Sequence, residues 1–323
     1  YKRESLEFSR DETFNLLQIQ KSLLDGSYEF SGYIHFTVHE PKERIIDAPH
    51  LQDKIVQLAI NEKIKQIYNP CFIYDTYACI DGKGTHKCVK RISKFIKQAK
   101  WKYGESAYIV KLDIKKFFYT IDRSILKEIL AKKISCKDSL NLIYKIINSA
   151  DEISEKGLPL GNTLSQICAN IYMNELDQYC KRKLGIKYYV RYADDVILVL
   201  ENKDEALEKL DIIKKFLSEK LNLETNVKKT KIFPISQGVN TVGFKIYATH
   251  RLLRNDSKKK IKRKARKMPR LLLSGAITKG KAEQILNSWM GHAKIGSSKN
   301  FIKKLLKRNP YIYLKKDILK VNI

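Results

Sequence analysis

The sequence predicts an α+β protein with a small antiparallel sheet, and two stretches carry that prediction. In Ile186–Leu200, two apolar, strand-like runs meet at a short acidic tip, as in a hairpin. In Ala107–Phe118, another short apolar strand ends in a single carboxylate, Asp113. Amphipathic helical patterns accompany these strands, among them Leu51–Tyr68 and Lys203–Leu223.

The acidic tip and the earlier strand end together supply three carboxylates, namely Asp113, Asp194 and Asp195. Two adjacent carboxylates at the end of a buried hairpin cost free energy unless a cation neutralises them. Carboxylates suit Mg²⁺, and two such ions about 3.5–4 Å apart stabilise the attacking and leaving oxygens of an in-line phosphoryl transfer. For the Asp-Asp pair alone, a solvated turn is the alternative, but the strand-end position of Asp113 favours a metal site.

The motif Tyr192-Ala193-Asp194-Asp195 in a hairpin, with Asp113 earlier in the chain, resembles the palm of the reverse transcriptases. That resemblance implies an RNA-directed DNA polymerase with a right-hand fold of fingers, palm and short helical thumb. It implies that the three aspartates bind two Mg²⁺ ions, with Mn²⁺ as the alternative, and that Ile114 offers its backbone carbonyl. The substrates would be dNTPs, a template RNA and a primer or cDNA strand.

The same resemblance assigns residues that contact the nucleotide. Phe118 would be the steric gate against a ribose 2′-hydroxyl, whereas Phe117 is interpreted as core. In the charged segment before Pro49, Arg44 and, less favoured, Lys42 would hold the triphosphate, since Arg is the better bidentate phosphate partner. Lys229 resembles a lysine near the triphosphate in many polymerases; a surface lysine is the alternative.

The stretch Gly157–Gln166, GLPLGNTLSQ, begins as a turn and leads into a helix that we expect to run from about Gln166 to Leu184. Ser165 or Thr163 is the expected helix cap. A plain turn and cap is one interpretation. The functional interpretation is a close backbone approach to the nucleotide, which glycine permits, with nucleotide contacts from Leu160, Gly161 and Gln166.

Four segments resemble the reverse transcriptases of diversity-generating retroelements: LPLGNTLSQ, Glu40–Ala48, Tyr74–His86, and Gly243–Arg254 followed by SWMGH at Ser288–His292. This subtype implies error-prone cDNA synthesis biased to template adenines. It also implies two partners, a basic ring-forming accessory variability protein and a structured retroelement RNA. Group II intron-like, retron-like or defence reverse transcriptases are the alternatives within the class. A non-catalytic RNA-binding scaffold is the alternative outside it, and the three intact carboxylates argue against that.

Positive charge dominates the composition. The formal net charge is +28 and the isoelectric point is about 9.7, which is typical of nucleic-acid-binding proteins. In residues 251 to 270, eleven of twenty are Lys or Arg. A disordered basic tail is the alternative, but we expect a helix on nucleic-acid phosphate, with the following backbone contacts: Lys258, Lys259, Lys262, Arg263 and Lys264. The preceding turn, Val242, Gly243 and Phe244, resembles a primer grip.

These assignments divide the chain into fingers (1–106), palm (107–250, with a helical segment at 123–157) and thumb (251–323). No apolar run reaches the roughly 18 residues of a membrane span, and no signal peptide is visible. The six cysteines lack CxxC spacing and are interpreted as reduced thiols of a cytoplasmic protein. A zinc site at Cys79, His86 and Cys88 is the less favoured alternative. We therefore expect no membrane partner. The resemblance to the reverse transcriptases of diversity-generating retroelements implies a bacterial, archaeal or phage origin.

Overall fold

The computed structural model describes residues 2–39, 43–149 and 154–309. The α-helices are α1 Lys2–Arg10, α2 Glu12–Leu24, α3 Leu51–Tyr68, α4 Thr85–Tyr103, α5 Phe117–Thr120, α6 Arg123–Ala131, α7 Lys137–Asn148, α8 Thr163–Gln178, α9 Lys203–Leu221, α10 Asn255–Leu273, α11 Lys279–Ala293 and α12 Lys299–Lys307. The β-strands are β1 Tyr33–Val38, β2 Arg44–Pro49, β3 Tyr108–Asp113, β4 Tyr188–Tyr192, β5 Asp195–Leu200, β6 Lys231–Pro234, β7 Val239–Thr241, β8 Phe244–Ile246 and β9 Arg251–Leu253.

The chain divides into two compact units. The first unit comprises Tyr1–Gly82, Leu112–Val196 and Glu208–Thr230. The second unit comprises Lys83–Lys111, Ile197–Leu207 and Lys231–Ile323. None of the helices in the described ranges is both long enough and apolar enough to span a bilayer.

Small sheets interrupt the helices. Strands β1 and β2 form an antiparallel pair in which Tyr33 lies opposite Pro49. The four-stranded sheet has the order β4-β5-β3-β6, and β3 runs antiparallel to β6 with Tyr108 opposite Pro234. Strands β7, β8 and β9 form an antiparallel three-stranded sheet. The predicted mixture of helices with small antiparallel sheets is therefore confirmed.

Helix α8 is the most deeply buried helix segment of the first unit, and its start differs from the prediction. The helix begins at Thr163, because the side chain of Asn162 accepts a hydrogen bond of 2.8 Å from the backbone N–H of Leu164. Asn is among the strongest N-cap residues, so it takes the role that we expected of Ser165 or Thr163. Ser165 is instead buried inside the first turn.

The helical segment predicted between β3 and β4 consists of two helices. Asp122 caps α6, since its side chain accepts hydrogen bonds from the backbone N–H groups of Ser124 and Ile125. The helix ends at Ala131, and α7 begins only at Lys137. Helix α3, by contrast, has the bounds that the apolar periodicity predicted.

In the second unit, the basic stretch forms strand β9 and then helix α10. Ile261, Ala265 and Met268 recur at helical spacing on α10 and are buried. They pack in one apolar cluster with Ala282 and Leu286 of α11 and with Leu305 of α12. The basic stretch is therefore a folded helix of a three-helix arrangement, which excludes the disordered-tail alternative for these residues.

Candidate active site

The three predicted metal carboxylates lie at strand ends, or in the turn between two strands, in the first unit. Asp113 is the last residue of β3 and is only 4% exposed. Strand β4 ends at Tyr192 and β5 begins at Asp195, so the turn between them is Ala193-Asp194. Asp195 is thus the first residue of a strand that neighbours β3, rather than part of the turn as expected.

The turn holds a strained backbone and a crowded negative charge. Ala193 has a φ of +55°, in the left-handed region that non-glycine residues rarely adopt. Burial raises the pKa of the Asp194 carboxyl, and the charges of Asp195 and Asp113 raise that pKa further. The backbone N–H of Asp194 and the charge of Lys229 lower it. The three carboxylates are therefore close enough to repel one another, as a cation-binding group would.

Lys229 lies against Asp113. Its Nζ is 2.7 Å from Oδ1 and 2.8 Å from Oδ2, so one ammonium group contacts both oxygens of the carboxylate. The backbone of the same loop also holds the strand end, because Asn226 N–H donates to the Asp113 carbonyl at 2.7 Å. A lysine predicted to lie near a triphosphate therefore contacts a predicted metal ligand.

A divalent cation fits this donor set by its chemistry. Three coupled carboxylates at adjacent strand ends supply the hard oxygen ligands that Mg²⁺ prefers. The lysine ammonium on Asp113 marks a place where positive charge is already stabilised. Across the described ranges, however, no three His, Cys, Asp or Glu side chains are arranged as a ready metal-binding group. That observation also gives no support to the zinc alternative at Cys79, His86 and Cys88.

The backbone carbonyl of Ile114 points away from the neighbouring segment. Ile114 forms an isolated antiparallel bridge with Thr225. The two bonds of that bridge join Lys115 N–H to the Glu224 carbonyl and Asn226 N–H to the Asp113 carbonyl. In such a pair, the N–H and C=O of the central residue face outward. The carbonyl of Ile114 is therefore not consumed by this bridge.

The two adjacent phenylalanines differ in burial. Phe117 is 4% exposed, as its interpretation as core requires, whereas Phe118 is half-buried. Their rings meet edge to face at 5.5 Å. The backbone carbonyl of Phe118 accepts a hydrogen bond of 2.7 Å from Leu158 N–H. Of the two rings, Phe118 is the one that remains accessible to a ligand.

Arg191 is a site residue that the sequence reasoning missed. It is fully buried beneath the acidic turn, and its Nη2 lies 2.7 Å from Oδ2 of the equally buried Asp177. Tyr189 and Thr76 also donate to that carboxylate, at 2.6 and 2.8 Å. Burial, the largest single influence, lowers the pKa of Arg191, but the charge of Asp177, its hydrogen bonds and the charges of Tyr189 and Asp194 together outweigh burial, so the pKa is raised. A charged residue inside an apolar strand was the available signal, since a buried charge requires a partner.

Asp47 is the second missed residue, and it fixes Leu160. The backbone N–H of Asp47 donates to the Leu160 carbonyl at 2.6 Å, and Leu160 N–H donates back to Asp47 Oδ2 at 3.0 Å. The other carboxylate oxygen is 2.9 Å from His35 Nδ1. Strand β2 thus clamps the backbone of the residue that was predicted to face the nucleotide.

Gly161 is required by packing against the same strand. Its φ is +105°, and a Cβ placed there would lie 2.6 Å from the Cγ2 of Ile46. The close approach that we expected toward a nucleotide is therefore made, in this structure, toward β2. Arg44 and Gln166 are exposed on the surface, and Lys42 lies outside the described residues.

The predicted primer-grip turn lies in the second unit. Val242 and Gly243 have positive φ angles of 39° and 89° and connect β7 to β8. The ring of Phe244 is fully buried and lies 4.4 Å from the ring of His292. A Cβ on Gly243 would lie 3.0 Å from Nε2 of His292. His292, which belongs to the SWMGH segment, therefore packs against both Gly243 and Phe244 of this turn.

The predicted phosphate-binding cations occupy two sides of α10. Lys258 and Lys262 place their ammonium groups over the ring of Phe301, at 5.9 and 5.5 Å from its centroid. Lys259, Arg263 and Lys264 are exposed elsewhere on the helix. At 100° per residue, the face opposite the apolar cluster carries Lys259, Arg263, Arg266 and Arg270.

Known proteins are similar to this chain over a segment that includes the three carboxylates. Residues 39–246 match the reverse transcriptase (RNA-dependent DNA polymerase) family. The chain is 24% identical over 310 residues to the group II intron-encoded protein LtrA of Lactococcus lactis subsp. cremoris, covering 74% of this chain and 50% of that protein. It is 28% identical over 205 residues to the retron Ec73 reverse transcriptase of Escherichia coli, covering 59% of this chain and 62% of that protein.

The fold is similar to that of telomerase from Candida tropicalis, whose structure was solved with a fragment of telomeric RNA. The TM-score is 0.55 at 15% identity, and the match covers 75% of this chain and 48% of that chain. At this identity the likeness concerns the fold alone. Among the first curated relatives, the chain spans between 30% and 71% of the relative's own length.

Proposed function

Because the chain belongs to the reverse transcriptase (RNA-dependent DNA polymerase) family, we propose that it copies an RNA template into DNA. The observation that carries the proposal is the position of three carboxylates on neighbouring strands: Asp113 ends β3, Asp195 begins β5, and Asp194 lies in the turn directly before β5. In the reaction, the primer 3′-hydroxyl oxygen forms a bond to the α-phosphorus of a dNTP. The bond from that phosphorus to the bridging oxygen breaks, pyrophosphate leaves, and the hydroxyl proton passes to solvent.

The three aspartates would hold two Mg²⁺ ions, with the backbone carbonyl of Ile114 as a further oxygen ligand. When bound, the ions stabilise negative charge on the attacking and leaving oxygens. The chain's own part is to position the reacting groups. The ammonium of Lys229 would be repelled by an ion on Asp113, and it would then be available to the triphosphate together with Arg44 and Lys42.

The right-hand assignment belongs to this proposal. Residues 1–106 would form fingers, 107–250 a palm and 251–323 a thumb. The turn at Val242, Gly243 and Phe244 would hold the primer strand. The half-buried ring of Phe118 supports its role as steric gate, since Phe117 is enclosed in the core. Phe118→Ala should accept rNTPs more readily relative to dNTPs, whereas unchanged discrimination would make Phe118 a packing residue.

The activity is tested by extending a DNA primer annealed to RNA with dNTPs, in Mg²⁺ and in excess EDTA. Metal-dependent extension on RNA supports the proposal. RNA binding without extension under any divalent ion would instead support a non-catalytic scaffold. Omitting the RNA template and replacing dNTPs with rNTPs are the controls that distinguish templated DNA synthesis from terminal addition.

The finer proposal is error-prone synthesis of the kind made by diversity-generating retroelements. Leu160 offers dispersion contact but no side-chain hydrogen bond to a nucleotide, so correct and incorrect substrates would differ less in transition-state binding. A loss of about 1.4 kcal/mol of discrimination raises misincorporation tenfold. The clamp on Leu160 by Asp47 supports a fixed position for this side chain. An accessory variability protein and a structured retroelement RNA would be the partners.

The intron and retron relatives favour a second candidate, a more accurate enzyme of the group II intron or retron type. Sequencing the cDNA separates the two. Errors concentrated opposite template adenine, and reduced by Leu160→Gln, support the diversity-generating type. Equal accuracy opposite all four bases in the wild-type enzyme would assign the chain to the second candidate.

A further inference from the structure

Helix α4 exposes a tryptophan to an unusual degree. Trp101, near the end of the helix, is 89% exposed, although large aromatic side chains usually bury most of their surface. Its indole is a flat apolar surface with one N–H donor, which is a geometry that stacks on planar ligands. The other tryptophan of the chain, Trp289, is half-buried among the helices of the second unit.

A row of lysines leads to this tryptophan. Four exposed lysines precede Trp101 along the helix at alternating spacings of three and four residues, and they are Lys87, Lys90, Lys94 and Lys97. At 100° per residue, these lysines and Trp101 fall within an arc of about 80° on one side of the helix. The row is about 21 Å long at 1.5 Å per residue. We call these five residues the α4 stripe.

The opposite side of the helix is packed into the protein. Its buried residues are Cys88, Val89, Ile92, Phe95, Ile96 and Ala99. The stripe therefore faces outward on a helix whose apolar side is already occupied. Thr85–Tyr103 contains no Asp or Glu, and among the described residues the four lysines make no ion pair. Their positive charge is not balanced within the helix.

We propose that the α4 stripe is a binding surface for single-stranded RNA, with lysines on the phosphates and one base stacked on Trp101. A positive track that ends in an exposed aromatic ring combines the two contacts that sequence-independent single-strand binding uses. An anionic membrane surface is the less suitable partner, because the apolar face that would enter the lipid is buried in the protein. The stripe shares no residue with the candidate active site, so this inference goes beyond the proposed polymerase activity.

Tryptophan fluorescence tests the stacking directly. The Trp289→Phe variant leaves Trp101 as the one tryptophan of the chain. Titration with oligouridine RNA, in EDTA and without dNTPs, should quench its emission in a saturable manner. When binding is measured instead by the anisotropy of fluorescein-labelled oligouridine, Trp101→Ala should weaken it about tenfold, whereas Trp101→Phe should recover much of it, since stacking depends on an aromatic face.

The lysines are tested by salt dependence. Replacing Lys90, Lys94 and Lys97 with Gln should lower the slope of log K against log salt by about 2, at about 0.7 per single-strand contact. The matched control is a triple Gln variant of three exposed lysines outside the stripe, Lys132, Lys133 and Lys137, which changes the net charge equally. It should keep both the slope and the quenching.

Three results would overturn the proposal. One is the absence of quenching by oligouridine, and another is an equal loss of slope in the control variant. The third is a shift of Trp101 emission by phosphatidylserine vesicles but not by oligouridine, which would assign the stripe to a membrane surface. Because no nucleotide is incorporated in these measurements, their failure is distinguishable from failure of the polymerase activity.

Discussion

Arg191 Nη1 donates a hydrogen bond of 3.1 Å to the backbone oxygen of Ala193, so a fully buried arginine holds the turn that carries Asp194. The same nitrogen donates to Asn170 Oδ1 at 3.0 Å, and the rest of the guanidinium contacts Asp177. The left-handed backbone of Ala193 is thereby tied to helix α8. Strained backbone persists only where the surroundings over-determine it, and this network is such a support.

The first prediction concerns this network. Arg191→Gln should lower the free energy of unfolding by about 3–5 kcal/mol, because it leaves Asp177 as an uncompensated buried charge. Arg191→Lys keeps the charge but cannot reach Asp177 and Ala193 together. It should therefore reduce kcat while leaving the KM for primer-template nearly unchanged.

Tyr189→Phe is the control for that prediction. It removes a hydrogen bond to Asp177 but leaves the contact of Arg191 with Ala193, at a cost of about 1.5–3 kcal/mol. Urea unfolding and steady-state kinetics should be measured on the Tyr189→Phe and Arg191→Lys variants. If Tyr189→Phe and Arg191→Lys lose kcat in proportion to stability, Arg191 has a structural role only.

The second prediction concerns the close approach of Gly161 to Ile46. Gly161→Ala introduces both an unfavourable φ, at +105°, and a clash with the Ile46 side chain, whereas Gly32→Ala, at a similar φ of +97° with no atom nearby, introduces only the φ cost. The loss of unfolding free energy at Gly161 should exceed that at Gly32 by about 1–3 kcal/mol. In an Ile46→Ala background the excess should disappear, and its persistence would contradict the packing explanation.

The sequence predicted much of this architecture but not the interactions that hold the site together. Apolar periodicity located α3 and the strands that end in Asp113 and begin at Asp195, because burial on one face leaves a local pattern. The contact of Asp47 with Leu160 joins residues 113 positions apart, and that of Arg191 with Asp177 joins a strand to a helix across 14 positions. No local pattern encodes such pairs. Lys229 was found by motif, yet its contact with Asp113 depends on the fold of the loop that follows α9.

The third prediction concerns helix α10. Changing Lys259, Arg263 and Arg266 to Gln should weaken binding to unrelated RNAs alike, because these residues lie on the face opposite the apolar cluster. The salt slope should fall by about 0.7–0.9 for each lost phosphate contact. Lys258→Gln with Lys262→Gln is the comparison, since these ammonium groups lie over Phe301. If each removed charge lowers the salt slope equally on the two sides of α10, the proposal of a single phosphate-binding face is contradicted.

The fourth prediction concerns His292. Burial lowers the pKa of its imidazole, and the charge of His86 lowers it further. Since the folded-state pKa lies below the unfolded value of about 6.5, folding favours the neutral ring. The free energy of unfolding should have its full value above about pH 6.5. It should fall as the pH drops through that value toward the folded-state pKa.

Urea unfolding between about pH 7.5 and 5.5 tests this dependence, which His292→Phe should reduce while keeping a ring against Gly243 and Phe244. His250→Gln, at an exposed histidine of the same unit, is the control and should leave the dependence unchanged. If the His292→Phe variant has a lower free energy of unfolding but keeps the wild-type dependence on pH, another group causes that dependence.

The most direct test of the polymerase assignment is Asp194→Asn, assayed for primer extension on RNA, for RNA binding and for thermal stability. The rate should fall by about three orders of magnitude or more, because a metal carboxylate contributes several kcal/mol to the transition state. RNA binding should persist, and the melting temperature without metal should be unchanged or higher, since a crowded charge is removed. Asp211→Asn, at an exposed aspartate of α9, should extend normally. Extension by Asp194→Asn at the wild-type rate would contradict the assignment of these carboxylates as the catalytic centre.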